Sequence, residues 1–256
     1  MSVVKKNKES IEFERSWLPF LLELRWRLIY CIALFFVILA LLLPFSSHLY
    51  LCFAKPLLNQ LPVGSRLIST TVMAPVLIPI KFTVMLALFI MMPFILYQFW
   101  LFTAPALYVK ERRLLWLVLL LSSSLFYSGV LFSYQFIVPF LIGFFVKISP
   151  DYIQILPDIS YYLDLVLQLL FGFGLIFEVP LLIIVAVASG FLALQTLVGW
   201  RRYFIVLAFI VAMLLTPPDV VSQILLALPL CLLFEIGIFI CRFIPRSSYA
   251  ANLHEK

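Results

Sequence analysis

Two acidic side chains lie inside the most apolar stretches of this chain of 256 residues. Glu178 occupies the middle of the run FGFGLIFEVPLLIIVAVA, residues 171–188, and Glu235 lies in the run LLFEIG near the C-terminus. A carboxylic acid in a membrane helix costs roughly 2.5–3.5 kcal/mol on insertion scales, and such acids normally face a bundle interior or a wet cavity. Both acids are therefore candidate functional residues.

Glu178 is followed two residues later by Pro180. Proline cannot donate a backbone hydrogen bond, so it leaves a carbonyl group one turn earlier without its donor and lets the helix bend. We expect Glu178 to line a concave, wet pocket near the bilayer midplane and to bond a polar group of a partner there. The alternative is a purely structural bond to a neighbouring helix.

Two further acids lie next to arginines, Glu23 in FLLELRWRL and Glu111 in APALYVKERR. They could form interfacial pairs with those arginines, which contribute about 0–1 kcal/mol when exposed. They could instead accept the guanidinium groups of a ligand, because a carboxylate matches the planar fork of arginine in bidentate fashion. Asp219 follows the Pro217-Pro218 turn and is a further candidate functional acid.

Catalytic and metal-binding motifs are absent from the sequence. It contains no Walker A loop, no H-E-x-x-H and no G-x-S-x-G, and its two histidines do not suggest a nucleophile and base pair. The four cysteines show no C-x-x-C spacing, so neither zinc nor a disulfide framework is indicated. We therefore predict no enzyme activity, no cofactor and no metal.

The elements that must position these acids are membrane helices. Hydrophobic residues make up 65% of the chain and charged residues 12%, which excludes an ordinary soluble domain. The apolar runs predict an all-α bundle of six transmembrane helices at residues 28–44, 82–106, 114–138, 163–188, 203–216 and 220–240.

The distribution of basic residues predicts how the chain is oriented in the membrane. With six spans, fourteen of the eighteen lysines and arginines lie on the face that both termini share. By the positive-inside rule, both termini are cytoplasmic, and the net charge of +6 then gives no reason to expect nucleic acid as a partner. The chain reads as one domain, with a cytoplasmic segment 1–27, spans within 28–240 and a cytoplasmic tail 241–256.

The last two spans look short. Residues 203–216 reach only about 21 Å at 1.5 Å per residue, whereas the hydrocarbon layer is roughly 30 Å thick. The hairpin either thins the bilayer locally or makes an ordinary tight turn against protein. Residues 45–81, which include Pro56 as a structural residue, and residues 139–162 are predicted to form structured outer caps with short helices.

Five motifs occur in a fixed order: LLELRWRL, KERR after FTAPALY, FEVP, MLLTPPDVVSQ and FEIG. In this combination the chain resembles the TatC family, the multi-spanning subunit of the twin-arginine protein translocase. The resemblance covers residues 18–243. One departure is Phe20, where the family usually has histidine, so a hydrogen bond from that imidazole is not expected.

The resemblance implies a bacterial inner-membrane receptor that binds twin-arginine signal peptides of folded precursor proteins. It implies a multimeric complex with the single-span proteins TatA and TatB, driven by the proton-motive force. Two signal arginines call for two acids, and signal-peptide binding is assigned to Glu23, Arg25, Phe102 and Glu111. Phe102 and Trp100 either receive the apolar residues of the peptide or are interfacial aromatics.

The same resemblance places a contact patch for the partner subunits at Met213, Thr216 and Gln223. Threonine and glutamine in lipid seek hydrogen-bond partners, which a neighbouring single-span helix can supply. Gln223 could alternatively bond within its own hairpin. The second functional reading is a proton-coupled small-molecule transporter that uses Glu178 and Glu235 as proton carriers.

Overall fold

The computed structural model describes residues 2–51, 73–107, 112–148, 158–216 and 219–243. Within these ranges, the side chains of residues 2–21, 104–107, 112–115, 146 and 148 are not described. Glu111 and Pro56 therefore lie outside the described residues. The elements described below are helices, in agreement with the predicted all-α class.

The first two long helices pack against each other. Helix α1, Ser2–Leu42, is followed by a 3₁₀ turn at Leu43–Phe45 and by helical residues 46–51. Helix α2, Ala74–Leu107, is the main contact of α1. None of the described side chains in residues 22–51 is buried, so α1 lies at the edge of the bundle.

The third segment is longer than predicted. Helix α3, Arg112–Phe132, passes through a π-helical turn, Ser133–Ile137, into helix α4, Val138–Ile148. Residues 139–148 of the predicted outer cap are helical and continue α3, while their place outside the membrane stays a prediction. Pro139 lies in the first turn of α4, where proline is tolerated, and the sequence stays apolar up to Phe145.

The fourth segment is interrupted. Helix α5, Ile159–Ile176, begins at Asp158, whose Oδ1 accepts a hydrogen bond from the backbone N–H of Ser160 at 2.7 Å. Helix α6, Val179–Ala188, follows after the two-residue turn at Phe177 and Glu178. The interruption lies within three residues of Pro180, where the sequence predicted a bend.

Helices α3 and α5 approach closely at two glycines. A Cβ atom on Gly129 would lie 2.5 Å from the carbonyl oxygen of Phe173, and one on Gly174 would lie 2.5 Å from Cε2 of Phe126. A larger residue at either position would therefore push the two helices apart. This contact sets the distance between Ser122, which precedes Phe126 by one turn, and Glu178.

The last elements are α7, Leu194–Gly199, α8, Arg201–Leu215, and α9, Val220–Cys241. The 15 residues of α8 confirm that this segment is short. The 22 residues of α9 reach about 33 Å at 1.5 Å per residue, so the prediction of a short final span is wrong. The reason is that α9 is helical from the residue after Asp219 to Cys241.

Five described segments are long and apolar enough to cross a membrane, at Leu22–Leu51, Ala74–Thr103, Trp116–Phe145, Ile159–Ala188 and Val220–Cys241. Helix α8 does not meet that length. It packs instead on α9 and α5, and Phe204 of α8 stacks on Phe234 of α9 with ring centroids 4.0 Å apart. The main apolar cluster joins α4, α5, α8 and α9.

Candidate functional site

Glu178 lies where α5 ends and α6 begins. Its backbone is close to helical, with φ −72° and ψ −20°, and its carbonyl oxygen accepts the backbone N–H of Leu182 at 2.9 Å. Pro180 has no N–H and cannot donate to the carbonyl of Ile176. The local sequence therefore ends one helix and starts another at the acid itself.

The carboxyl group of Glu178 is buried, with 5% of the residue exposed. Its Oε2 accepts a hydrogen bond from Ser122 Oγ of α3 at 2.8 Å, and Ser122 Oγ accepts one from Trp100 Nε1 of α2 at 3.0 Å. Ser122 and Trp100 are themselves buried, at 0% and 4% exposure. We call these three residues the buried relay.

The buried relay lies against an apolar cluster formed by Met92, Leu96, Trp100, Phe126, Leu181 and Val185. Glu178 Oε1 is also buried and has no hydrogen-bond partner among the described residues. Three helices surround the carboxyl group of Glu178, and the expected wet pocket beside it stays a prediction. The other expectation, a bond to a neighbouring span, agrees with the contact to Ser122.

Glu23 lies on the exposed surface of α1. It accepts hydrogen bonds from its own neighbour Arg27, whose Nε lies 3.2 Å from Oε1, and the two residues form an ion pair. Arg27 also donates from its second terminal nitrogen to Gln98 Oε1 of α2 at 3.1 Å. Glu23 therefore already holds a guanidinium group, and that group ties α1 to α2.

The remaining predicted signal-peptide residues differ in their exposure. Arg25 is exposed, and Phe102 is partly buried on α2, four residues after Gln98 and therefore on the same face. Trp100 is buried and donates to Ser122, so its indole is neither a surface receptor for a peptide nor an interfacial aromatic. Glu111, the second predicted acid, lies outside the described residues.

The α8–α9 hairpin carries the predicted contact patch. Met213 is 58% exposed, whereas Thr216 is buried and its hydroxyl donates to the carbonyl of Ala212 at 2.9 Å. The hydroxyl of Thr216 is thus already used within α8. Gln223 is partly buried, and its side chain makes no hydrogen bond within the described part of the chain.

Asp219 has a clear local role. Its Oδ2 accepts the backbone N–H of Ser222 at 2.8 Å, which caps the N-terminus of α9. Its Oδ1 is buried and has no partner among the described residues. The residue is therefore a helix cap whose second carboxyl oxygen has no partner in the described part of the chain.

Glu235 does not join Glu178. It is exposed on α9 and accepts a hydrogen bond from Arg201 of α8 at 2.7 Å. A second interhelical ion pair joins Lys81 of α2 to Asp164 of α5 at 2.5 Å. Glu235 therefore forms an ion pair between α8 and α9 and is not a second buried proton carrier.

Sequence reasoning missed Ser122 and Gln98 as partners of the acids. Ser122 begins a Ser-Ser-Ser interruption in an otherwise apolar run, and Gln98 is a lone amide in α2. Both are polar residues in apolar helices, which is a signal that the sequence contains. The sequence does not reveal which acid each of them meets, because that depends on the packing of α2, α3 and α5.

Helices of this length, with a buried acid at a helix break, define a multi-pass α-helical membrane protein. The family model described as Sec-independent protein translocase protein (TatC) matches residues 19–229. A TatC protein of Escherichia coli K12 is 45% identical over 234 residues, which cover 91% of each chain. The chain belongs to the TatC family.

Other relatives and a solved structure point to the same family. The TatC protein of Haemophilus influenzae is 42% identical over 91% of each chain, and that of Aquifex aeolicus is 36% identical over 88% of this chain and 93% of its own. A crystal structure of the twin-arginine translocase receptor TatC superposes with a TM-score of 0.79 at 36% identity, covering 87% of this chain and 98% of that one.

Membership of this family makes the chain a component of the Sec-independent protein translocase, in a complex with other Tat subunits. It is a multi-pass protein of the bacterial inner membrane and a transport component rather than an enzyme. The alternative of a small-molecule transporter is not supported, and Glu235, its second supposed carrier, is paired with Arg201.

Proposed function

We propose that the chain is the receptor subunit that binds twin-arginine signal peptides of folded precursors and assembles with TatA and TatB for transport driven by the proton-motive force. One observation carries the proposal: Glu23 is an exposed carboxylate that already accepts a guanidinium group, beside the α2 face that carries Gln98 and Phe102. A similar solved structure is of a twin-arginine translocase receptor.

In this proposal, Glu23 and Glu111 each accept one arginine of the signal peptide. A carboxylate has about four acceptor positions, so Glu23 can hold Arg27 and an incoming arginine together or exchange one for the other. Arg25 is exposed two residues away, and Phe102 offers a partly buried apolar ring to the residues that follow the arginine pair. Lysines would bind less well because an ammonium group cannot form the bidentate contact.

Partner contact is proposed for the exposed surface of the α8–α9 hairpin. Met213 and the side-chain amide of Gln223 are the members of the predicted patch that remain available to a neighbouring helix. Thr216 supports the patch from within, since its hydroxyl is bonded inside α8. Glu178 and Asp219 are proposed as functional acids, each with one buried oxygen that has no described partner.

The test is equilibrium binding of a twin-arginine signal peptide to the purified chain. We expect Glu23→Gln and Glu111→Gln each to weaken binding by about 1–3 kcal/mol, because a charge-assisted hydrogen bond becomes a neutral one. Replacing both signal arginines with lysines should also weaken binding.

Glu235→Gln is the matched control, because Glu235 is also exposed and paired with an arginine but lies on α9. It should bind the peptide as tightly as the unmodified chain. If the Glu23 and Glu111 variants insert normally and bind twin-arginine and twin-lysine peptides equally, the two acids are not the arginine acceptors.

A further inference from the structure

We propose that Trp100 and Ser122 are positioning residues for Glu178. They hold the carboxyl group of Glu178 in one orientation at the break between α5 and α6, through the hydrogen bonds from Trp100 to Ser122 and from Ser122 to Oε2. The inference rests on the proposed function in one respect, namely that Glu178 serves assembly or export.

The chemistry of the three groups fixes the direction of the buried relay. An indole N–H can only donate a hydrogen bond, and a serine hydroxyl has one proton. Because Ser122 Oγ accepts from Trp100 Nε1 at 3.0 Å, its own proton is free to point at Glu178 Oε2, 2.8 Å away. Trp100 therefore orients the serine, and the serine orients the carboxyl group.

The three residues come from separate elements, α2, α3 and the break between α5 and α6. The close approach of α3 and α5 at Gly129 and Gly174 brings Ser122 within reach of Glu178. Phe126, one turn after Ser122, packs against Phe89 of α2 and Phe171 of α5, with ring centroids 6.1 and 6.4 Å away. The packing of α3 against α2 and against α5 thus sets the geometry of the buried relay.

The hydrogen bond from Ser122 reaches only one of the two carboxyl oxygens of Glu178. Buried polar atoms are usually hydrogen-bonded, because an unpaired buried acceptor is costly. Ser122 donates to Oε2, which fixes the orientation of the carboxyl group, while Oε1 is buried with no partner among the described residues. The unbonded oxygen lies at the helix break, where Pro180 cannot complete the backbone ladder.

The experiment measures how fast a folded cargo with a twin-arginine signal is exported. It compares variants of the chain that insert into the membrane at normal levels. Ser122→Ala removes the donor to Oε2, and Trp100→Phe keeps an aromatic ring but removes the N–H. We expect Ser122→Ala to lower export about tenfold, as expected for loss of a hydrogen bond to a charged or strongly polar group, and Trp100→Phe to lower it less.

Two matched controls exist in the chain. Ser133 is as buried as Ser122, but its hydroxyl has no partner among the described residues, so Ser133→Ala should not reduce export. Trp116 is 67% exposed, and Trp116→Phe should also be neutral. A general loss of packing would affect the Ser133 variant as much as the Ser122 variant.

The decisive comparison repeats Ser122→Ala and Trp100→Phe in a Glu178→Ala background. If both residues act through Glu178, they should add no further loss; if they only stabilise the bundle, the losses should multiply. Where Glu178→Ala abolishes export, the amounts of TatA and TatB that co-purify with the single and double variants are compared instead. Multiplying losses overturn the proposal.

Normal export and assembly by Glu178→Ala alone would also overturn the positioning role. That result is separable from failure of the receptor function, because twin-arginine peptide binding through Glu23 is measured independently on the same variant. If Glu178→Ala binds the peptide, exports cargo and assembles normally, the receptor proposal remains valid. Only the positioning role of Trp100 and Ser122 is then refuted.

Discussion

The acids whose side chains the structure describes all have polar partners, but their surroundings give them different roles. Glu178 is enclosed by three helices and bonded to Ser122, whereas Glu235 is exposed and paired with Arg201. An exposed pair contributes about 0–1 kcal/mol, while a buried acid must be hydrogen-bonded to be tolerated. Burial therefore separates Glu178 from Glu235, whose pair with Arg201 is a surface contact.

At Asp219, a substitution series can separate helix capping from a further function. Asp219→Ala removes the cap of α9 and should lower the free energy of unfolding by about 0.5–2 kcal/mol. Asp219→Asn keeps a capping oxygen and should be close to neutral in stability. Thermal unfolding of the detergent-solubilised chain measures both variants.

The export rate of the same two variants tests the proposed functional acid. Loss of export by the stable Asn variant would support a role for the charge or for the free Oδ1. Export by Asp219→Asn equal to that of the unmodified chain would limit Asp219 to its role as a cap.

At the scale of the elements, irregular helices position the site. Pro180 separates α5 from α6 at Glu178, and the π-helical turn at Ser133–Ile137 joins α3 to α4, with Pro139 two residues after the turn. Such irregularities occur where a proline removes a backbone donor or where a wider turn enters the ladder. Between them, α3 and α5 remain regular and closely packed.

The close packing of α3 on α5 predicts that adding a single methyl group at their contact strongly destabilises the protein. Gly129→Ala places a Cβ 2.5 Å from a backbone oxygen, which cannot move without a shift of α5. We expect a destabilisation of about 1–3 kcal/mol, the usual cost of overpacking, visible as a lower unfolding temperature. Gly143→Ala is the control, because no atom lies within 4 Å of its Cβ position.

An unchanged unfolding temperature for Gly129→Ala would contradict the close α3–α5 contact. If the contact is correct, the same variant should also impair export, since it moves Ser122 away from Glu178.

At the scale of the whole molecule, the bundle leaves large apolar surfaces uncovered. No described side chain of α1 from residue 22 onward is buried, and most of α8 is exposed. In a bilayer these surfaces face lipid or other subunits, which fits a chain that works in a complex. The short α8 then requires either a thinner bilayer or cover by protein.

The proposed topology places both termini and residue Lys110 in the cytoplasm. A reporter active only in the cytoplasm should be active when fused after Lys256 or inserted near Lys110, because the flanking loops are rich in lysine and arginine. The same reporter should be silent near Gly64 or Asp151. The reverse pattern would refute the six-span arrangement with cytoplasmic termini.

The sequence by itself determined the helical membrane class, the family and the helix break beside Pro180. Apolar composition leaves the backbone no alternative to helices in lipid, and a proline removes a donor wherever it stands. Which groups meet across helices was decided only by tertiary packing. Ser122 reaches Glu178 because Gly129 and Gly174 let α3 and α5 approach, and Trp100 is buried because α2 packs beside them. Such contacts join residues far apart in the chain, so no local pattern encodes them.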